Sequence, residues 1–307
     1  MSGWTPARAR KLDEIAGPDG IIFGAAVDHR DSLKTALSLK GLPISDSGLS
    51  QLKLRIARAL SPAATVFLLD AEYGAAQALA AGVLPGDVAL VVPLEAQGYG
   101  DVAESPKTTF LPGWSPGKSA LLGAAGCKLL LPYRADNLEQ ARRQDEVVVA
   151  AAEGCRAAGV ALILEPIVYD EPEAGRFGEL VVEGAARLSA LGPDVLKVQY
   201  PGSAAACRAL DTACGPNVPW VLLGGGADSS ALEHQVAEAS AAGASGFIVG
   251  RTLWDVALVL DVTEETELLT TTSLPLLERL GDVAREHATP WRTRVGEIAA
   301  PPAGQLP

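Results

Sequence analysis

Short apolar runs recur along the chain, each starting at or just after Gly or Pro and ending in polar or Gly-rich residues. Eight are found: 20–30 (GIIFGAAVDHR), 64–74 (ATVFLLDAEYG), 88–98 (VALVVPLEAQG), 126–134 (GCKLLLPYR), 160–170 (VALILEPIVYD), 193–202 (PDVLKVQYPG), 219–226 (PWVLLGGG) and 244–251 (ASGFIVGR). Near-continuous apolarity, rather than alternation, predicts strands covered on both faces. Helical patterns lie between them at 46–60, 137–158, 177–191, 204–213 and 229–242, several starting at a Ser, Asp or Asn suited to cap a helix. Successive runs start 24 to 44 residues apart, the length of a βα unit, so the pattern predicts an α/β fold, a (β/α)8 TIM barrel. A doubly wound open sheet is the rival. It needs fewer strands and usually a GxGxxG turn after the first, where this chain reads VDHRD.

Two regions break the rhythm. Residues 93–126 carry Pro106, Pro112, Gly113, Pro116 and Gly117 with Trp114 among them, and read as a long loop before a short helix, the tryptophan placed to help close a site. From Thr263 the pattern suggests two helices and then a Pro-rich tail, 301–307. The expected organisation is therefore one barrel domain over 1–307, with a short N-terminal extension and that tail.

Composition narrows the function. Over 307 residues, 25 Lys and Arg face 37 Asp and Glu, a net charge of −12, which excludes a general nucleic-acid binder because counterion release needs a basic surface. Hydrophobic residues make up 48%, enough for a substantial core. No apolar run has the length of a membrane span, and the first residues lack a signal-peptide pattern. The four cysteines (Cys127, Cys155, Cys207, Cys214) lie in apolar or Ala-rich surroundings without CxxC spacing and read as reduced core thiols of a cytoplasmic protein.

Chemistry in such a barrel sits at the C-terminal ends of the strands. The polar residues there include Asp28, His29, Arg30, Asp70, Glu72, Glu95, Lys128, Glu165, Lys197 and Arg251. Lys197, in DVLKVQY, shares a strand face with Val195 and Gln199. If that face is the interior, its ammonium must pair or lose its proton. The plainer reading is a structural lysine paired with an acid. Lys128 is similarly embedded, and two inward cations are expected to destabilise each other's charged forms. Glu165 lies on the strand between them, within reach of an atom attached to Lys197. An amine poised to become neutral beside a carboxylate suits imine chemistry with a carbonyl substrate. Freeing an ordinary lysine of its proton at neutral pH costs about 4.6 kcal/mol, which burial and a nearby cation can lower.

The seventh run ends in Gly224, Gly225 and Gly226 before Asp228 and Ser229, the eighth in Gly250 and Arg251. Glycines there let backbone N–H groups approach an anion, and Arg251 can add a bidentate contact. A tight turn before a capped helix is the other reading of the three glycines.

The segments AAVDHRDSLK, GWSPGKSALLGAAGCKLLLPYRAD, LILEPIVYD and DVLKVQYPG resemble the class I tagatose-1,6-bisphosphate aldolase family, whose relatives include sulfofructose-phosphate aldolases; the resemblance runs from about Phe23 to Trp254. It implies Lys197 as imine-forming lysine, Glu165 as acid/base and Lys128 as second active-site lysine. Asp28 and Arg30 would belong to the first-strand polar cluster, with His29 where relatives usually have Gln. Gln199 stands where relatives often have an acid. Arg251, with Gly225, Gly226 and Gly250, would bind the anionic group. The expected substrate is a phosphorylated or sulfonated ketose, cleaved to dihydroxyacetone phosphate and an aldehyde without metal or other cofactor, by a homo-oligomer.

Three histidines, His29, His234 and His287, are too dispersed for a zinc site, and Asp70, Glu72 and Glu95 are expected to pair with cations such as Arg30 rather than hold a metal. Trp220 and Trp254 read as packing residues. Two further functions fit the same scaffold: an isomerase or epimerase using Glu165 as base, and a non-catalytic sugar-phosphate sensor.

Overall fold

Each apolar run holds one strand of the computed structural model, which describes residues 4–96, 107–169 and 175–298. These are β1 (Ile22–Val27), β2 (Val66–Leu69), β3 (Ala89–Pro93), β4 (Gly126–Pro132), β5 (Ala161–Ile167), β6 (Val195–Val198), β7 (Trp220–Leu223) and β8 (Gly246–Val249). Neighbours in sequence pair in parallel, and β8 returns to β1, closing a (β/α)8 barrel.

Around it run α1 (Pro6–Ala16), α2 (Asp31–Leu39), α3 (Asp46–Leu60), α4 (Ala75–Ala80), α5 (Pro116–Leu121), α6 (Leu138–Ala158), α7 (Arg176–Ser189), α8 (Ala204–Cys214), α9 (Ser229–Ala241), α10 (Arg251–Trp254), α11 (Val262–Leu268), α12 (Leu274–His287) and α13 (Trp291–Val295). Side-chain caps set several starts: Ser45 accepts from the Gly48 N–H (3.1 Å), Asn137 from Gln140 (3.2 Å), Ser203 from Ala206 (3.2 Å) and Asp228 from Ala231 (2.9 Å). Helices α2 and α4, with 9 and 6 residues, are too short to display a clear 3.6-residue period and were not expected. The C-terminal pair of helices is joined by a π-helical turn at Leu269–Ser273.

Strand alternation divides the core in two. Ile22, Val66, Val91, Ile163, Val195 and Val221 face the barrel interior, while Phe67, Leu129, Leu164, Leu196 and Phe247 pack outward under the helices. The chain's N-terminal segment is a finding beyond the expected extension. Leu12 and Ile15 of α1 join the interior cluster at the strands' N-terminal ends, together with Trp4 and Trp291, whose rings lie 5.3 Å apart. Arg8 ties α1 to the barrel through Asp194 at 2.7 Å, and Asp194 also accepts the Leu162 N–H at 2.7 Å. One end of the barrel is thereby filled, leaving the C-terminal end for chemistry.

Close strand approach depends on glycine at two positions. A Cβ on Gly24 would sit 1.8 Å from the Val66 carbonyl, and one on Gly246 (φ +133°) 1.8 Å from that of Ile22. Beyond β3, Glu95 makes an antiparallel bridge with Phe110, and Trp114 packs against the outer core rather than over a cavity. Residues 97–106 of that loop, and the Pro-rich 301–307, lie outside the described residues. All four cysteines are free and buried, and Trp220 and Trp254 are fully enclosed. Among the described residues no helix is long and apolar enough to cross a membrane.

Candidate active site

Interior parity places Lys128, Glu165 and Lys197 on the inward face of β4, β5 and β6, joined by Asp28 just after β1 and Glu95 just after β3. All five are at most 6% exposed. Lys197 Nζ donates to Glu165 Oε1 at 2.9 Å, and the other Glu165 oxygen lies 3.5 Å from Lys128 Nζ. Lys128 also donates to Asp28 Oδ2 (2.8 Å) and Glu95 Oε1 (2.6 Å), while Glu95 Oε2 accepts the Leu130 N–H at 3.2 Å. Two lysines and three carboxylates thus form one chain of contacts across the barrel.

The electrostatics separate the two lysines. Burial alone would push the Lys128 ammonium down, but Asp28, Glu95 and Glu165 outweigh it and hold the group well above lysine's ordinary value. This corrects the expectation that the two inward cations weaken each other's charge: Lys128 is a fixed cation. Burial raises both of its main acids, yet Lys128 and its neighbours bring Asp28 well below the carboxylate range, whereas Glu95 stays raised. Lys197 has Glu165 as its hydrogen-bond partner and otherwise faces a cavity.

That cavity, about 510 Å³, opens at the strands' C-terminal ends. Lys197, Glu165, His29, Gln199, Tyr169 and Arg251 are its main polar lining residues. His29 is half-buried, edge-on to Trp254 at 5.2 Å, and burial lowers it from 6.5 to about 4 despite the opposing pull of Asp28, so its imidazole is neutral at physiological pH. Gly250 makes room for that ring, since a Cβ there would lie 2.8 Å from His29 Cε1. On the far wall Gly225 (φ +56°) and Gly226 (φ +80°) adopt left-handed backbone, and a Cβ on Gly226 would press to 3.3 Å of the Arg251 guanidinium. Arg251 is exposed at the cavity rim. The three glycines form the tight turn that precedes a capped helix, with Asp228 as the cap of α9.

The remaining expected contacts sit elsewhere. Asp28 and Arg30 are both 3% exposed and do not line the cavity: Asp28 is turned to Lys128, and Arg30 donates to Glu72 Oε2 (2.6 Å) and the Glu95 carbonyl (2.6 Å). They hold the site's framework rather than its open face. Asp70, Glu72 and Glu95, considered together as acids, go to three different cations, Lys53, Arg30 and Lys128. Among the described residues no group of three or more His, Cys, Asp or Glu is arranged to hold a metal.

Lys53 was missed by sequence reasoning. It lies on α3, wholly buried, and donates to Asp70, to the Val27 carbonyl (2.9 Å) and to the His29 carbonyl (2.8 Å), pinning the loop that carries Asp28 and His29. A signal was present: Lys53 falls on the same helical stripe as Leu49, Ile56 and Leu60, where a solvated charge does not belong. Gln199, which alternation puts on the Lys197 face and which stands where relatives often have an acid, lines the cavity.

Comparison with known proteins converges on the same chemistry. The family described as DeoC/LacD family aldolase matches residues 23–256. The chain belongs to the DeoC/LacD aldolase family. It is a class I aldolase, a carbon–carbon lyase, and this selects bond cleavage over the isomerase and sensor readings. Among the curated relatives of this DeoC/LacD aldolase, tagatose 1,6-diphosphate aldolase 1 of Streptococcus pyogenes is 27% identical, with 94% of this chain and 99% of the relative covered. Tagatose 1,6-diphosphate aldolase 2 of Streptococcus agalactiae is 26% identical, covering 95% and 99%. Among solved structures, an archaeal fructose 1,6-bisphosphate aldolase superposes with TM-score 0.64 at 18% identity, covering 90% of this chain and 98% of its own. A Schiff-base-forming fructose-1,6-bisphosphate aldolase gives 0.63 at 16% identity, with the same coverage. These two likenesses establish the shared barrel.

Proposed function

We propose that this aldolase reversibly cleaves a ketose 1-phosphate of the tagatose-1,6-bisphosphate type through an imine on Lys197, releasing dihydroxyacetone phosphate and an aldehyde. The observation that carries the reading is the contact between Lys197 Nζ and Glu165 at 2.9 Å, at the wall of a cavity whose other end is glycine-rich and faces Arg251. Neutral Lys197 Nζ attacks the ketone carbon, and the carbonyl oxygen leaves as water after taking up protons, with Glu165 as the proton carrier. The protonated imine then draws in the electron pair of the bond between the carbons alpha and beta to it, as the aldehyde's carbonyl forms on the beta carbon. Glu165 accepts the proton from the departing hydroxyl. Reprotonation of the resulting enamine and hydrolysis of the imine return Lys197 and release the second product.

Lys128 has a separate task in this reading. Three carboxylates keep it charged, so it stands as a fixed cation beside Glu165 rather than as a second nucleophile. The phosphate is assigned to the Gly225, Gly226, Gly250 and Arg251 wall, where left-handed glycines keep side chains out of the way of an approaching anion. The names of the curated relatives support a tagatose-type ketose bisphosphate as the first substrate to try.

The test combines a substrate panel with trapping. Tagatose 1,6-bisphosphate, other ketose phosphates and sulfofructose 1-phosphate are assayed for triose-phosphate release with and without EDTA. Borohydride added with dihydroxyacetone phosphate should inactivate the enzyme and leave a reduced adduct on the peptide containing Lys197. An adduct on Lys128 instead, or a fully active Lys197→Ala variant, would overturn the assignment.

A further inference from the structure

Gln199 follows Lys197 by two residues, so both side chains leave the chain on the interior side and both line the cavity. Its amide is oriented by chemistry. The Val168 N–H, just past β5, donates to Gln199 Oε1 at 2.7 Å, and only the oxygen of the amide can accept that bond. The planar group must then present its NH2 away from Val168, and among the described residues that nitrogen has no hydrogen-bond partner. The cavity therefore holds a neutral donor, fixed in direction, beside the reacting lysine.

Position around the barrel says which part of a substrate it meets. The anion wall lies on β7 and β8, Lys197 on β6, and the Gln199 amide is drawn toward β5 by Val168. A ketose joined to Lys197 with its phosphate toward Arg251 extends its other half toward β5. Resting on the imine reading above, we propose that Gln199 is a specificity-determining contact whose Nε2 donates to a hydroxyl oxygen on the aldehyde-forming half of the ketose. A substrate without an acceptor oxygen there leaves this donor unpaired and is selected against.

Two variants separate this role from a merely structural one. Gln199→Glu keeps an acceptor for the Val168 N–H but loses the donor; Gln199→Met stays neutral and loses both. The expected result with tagatose 1,6-bisphosphate is a fall in kcat/KM of about tenfold or more in both variants. Borohydride trapping with dihydroxyacetone phosphate, which lacks the contacted half, should stay within about twofold of the parent enzyme. Parent-like turnover by Gln199→Glu reduces the residue to a loop anchor and overturns the proposal. A loss confined to Gln199→Glu assigns the effect to added charge and overturns it equally. Failure of the parent enzyme itself to trap dihydroxyacetone phosphate would instead strike at the imine reading, and so is told apart from failure at Gln199.

Discussion

Two lysines, buried to nearly the same degree, sit in opposite circumstances. Lys53 is 0% exposed and its three N–H bonds are all directed at fixed acceptors: Asp70 and the carbonyls of Val27 and His29. Lys197 is 4% exposed, has Glu165 as its hydrogen-bond partner and opens onto a 510 Å³ cavity. Burial pushes the Lys53 ammonium below lysine's usual value even with Asp70 beside it, but no substrate can reach the nitrogen. A buried amine is thus a candidate nucleophile only where its partners are too few to occupy it and space remains for a reactant. Lys128 stands between the two, within reach of the site but held charged by three carboxylates.

The contrast is broken most directly at Lys197, the proposed nucleophile. Lys197→Ala should lower kcat by about three orders of magnitude or more while leaving the thermal midpoint close to that of the parent. Steady-state assays and a melting curve on the same preparation read both halves, and a large stability loss with residual turnover would make Lys197 structural too. The opposite pattern is expected at Lys53. Lys53→Met leaves Asp70 and two backbone carbonyls without their donor in the interior, at a cost of about 3 to 5 kcal/mol in urea denaturation. A variant of unchanged stability would end the distinction.

His29 joins the two regions, with its carbonyl on Lys53 and its ring on the cavity wall. Because its folded-state value is depressed from 6.5 to about 4, the unfolded chain binds the proton first as pH falls. Its contribution to stability is therefore complete above pH 6.5 and lost progressively between 6.5 and 4, up to about 3 kcal/mol. Urea midpoints at pH 7 and pH 5 should show this slope, and His29→Asn should flatten it; an unaltered slope would assign the acid loss to other groups. The smallest effect is predicted at the rim. Arg251 is exposed, so Arg251→Met should raise KM for a ketose phosphate by about tenfold with little change in kcat or stability. A fall in kcat with constant KM would place it in the chemical step instead.

Much of the barrel could be read from local pattern. Each predicted strand run contains its strand, and the helix at 46–60 begins and ends where its Ser45 cap and apolar stripe imply. The inward side of Lys197, Glu165 and Lys128 follows from alternation. Less visible were elements whose stability comes from contacts made elsewhere: α1, held by the barrel's N-terminal mouth, and the short α2 and α4. The site divided in the same way. The contact between Lys197 and Glu165, the pair proposed for imine chemistry, was legible because both are charged residues within apolar strands on adjacent positions of the barrel. Asp28 and Arg30 carried the same signal but turned to protein partners, a choice that depends on where Lys128, Glu72 and Glu95 arrive.

By itself, then, the amino-acid sequence determined the number of βα units and the face each strand residue takes. These follow from the two-residue and 3.6-residue periods of the backbone, which act over a few neighbours. Only the closed tertiary structure decided how many acceptors converge on each lysine, which carboxylates stay exposed to a cavity and which way the Gln199 amide points. Those outcomes depend on side chains from distant segments meeting in space, and a local period carries no information about such meetings.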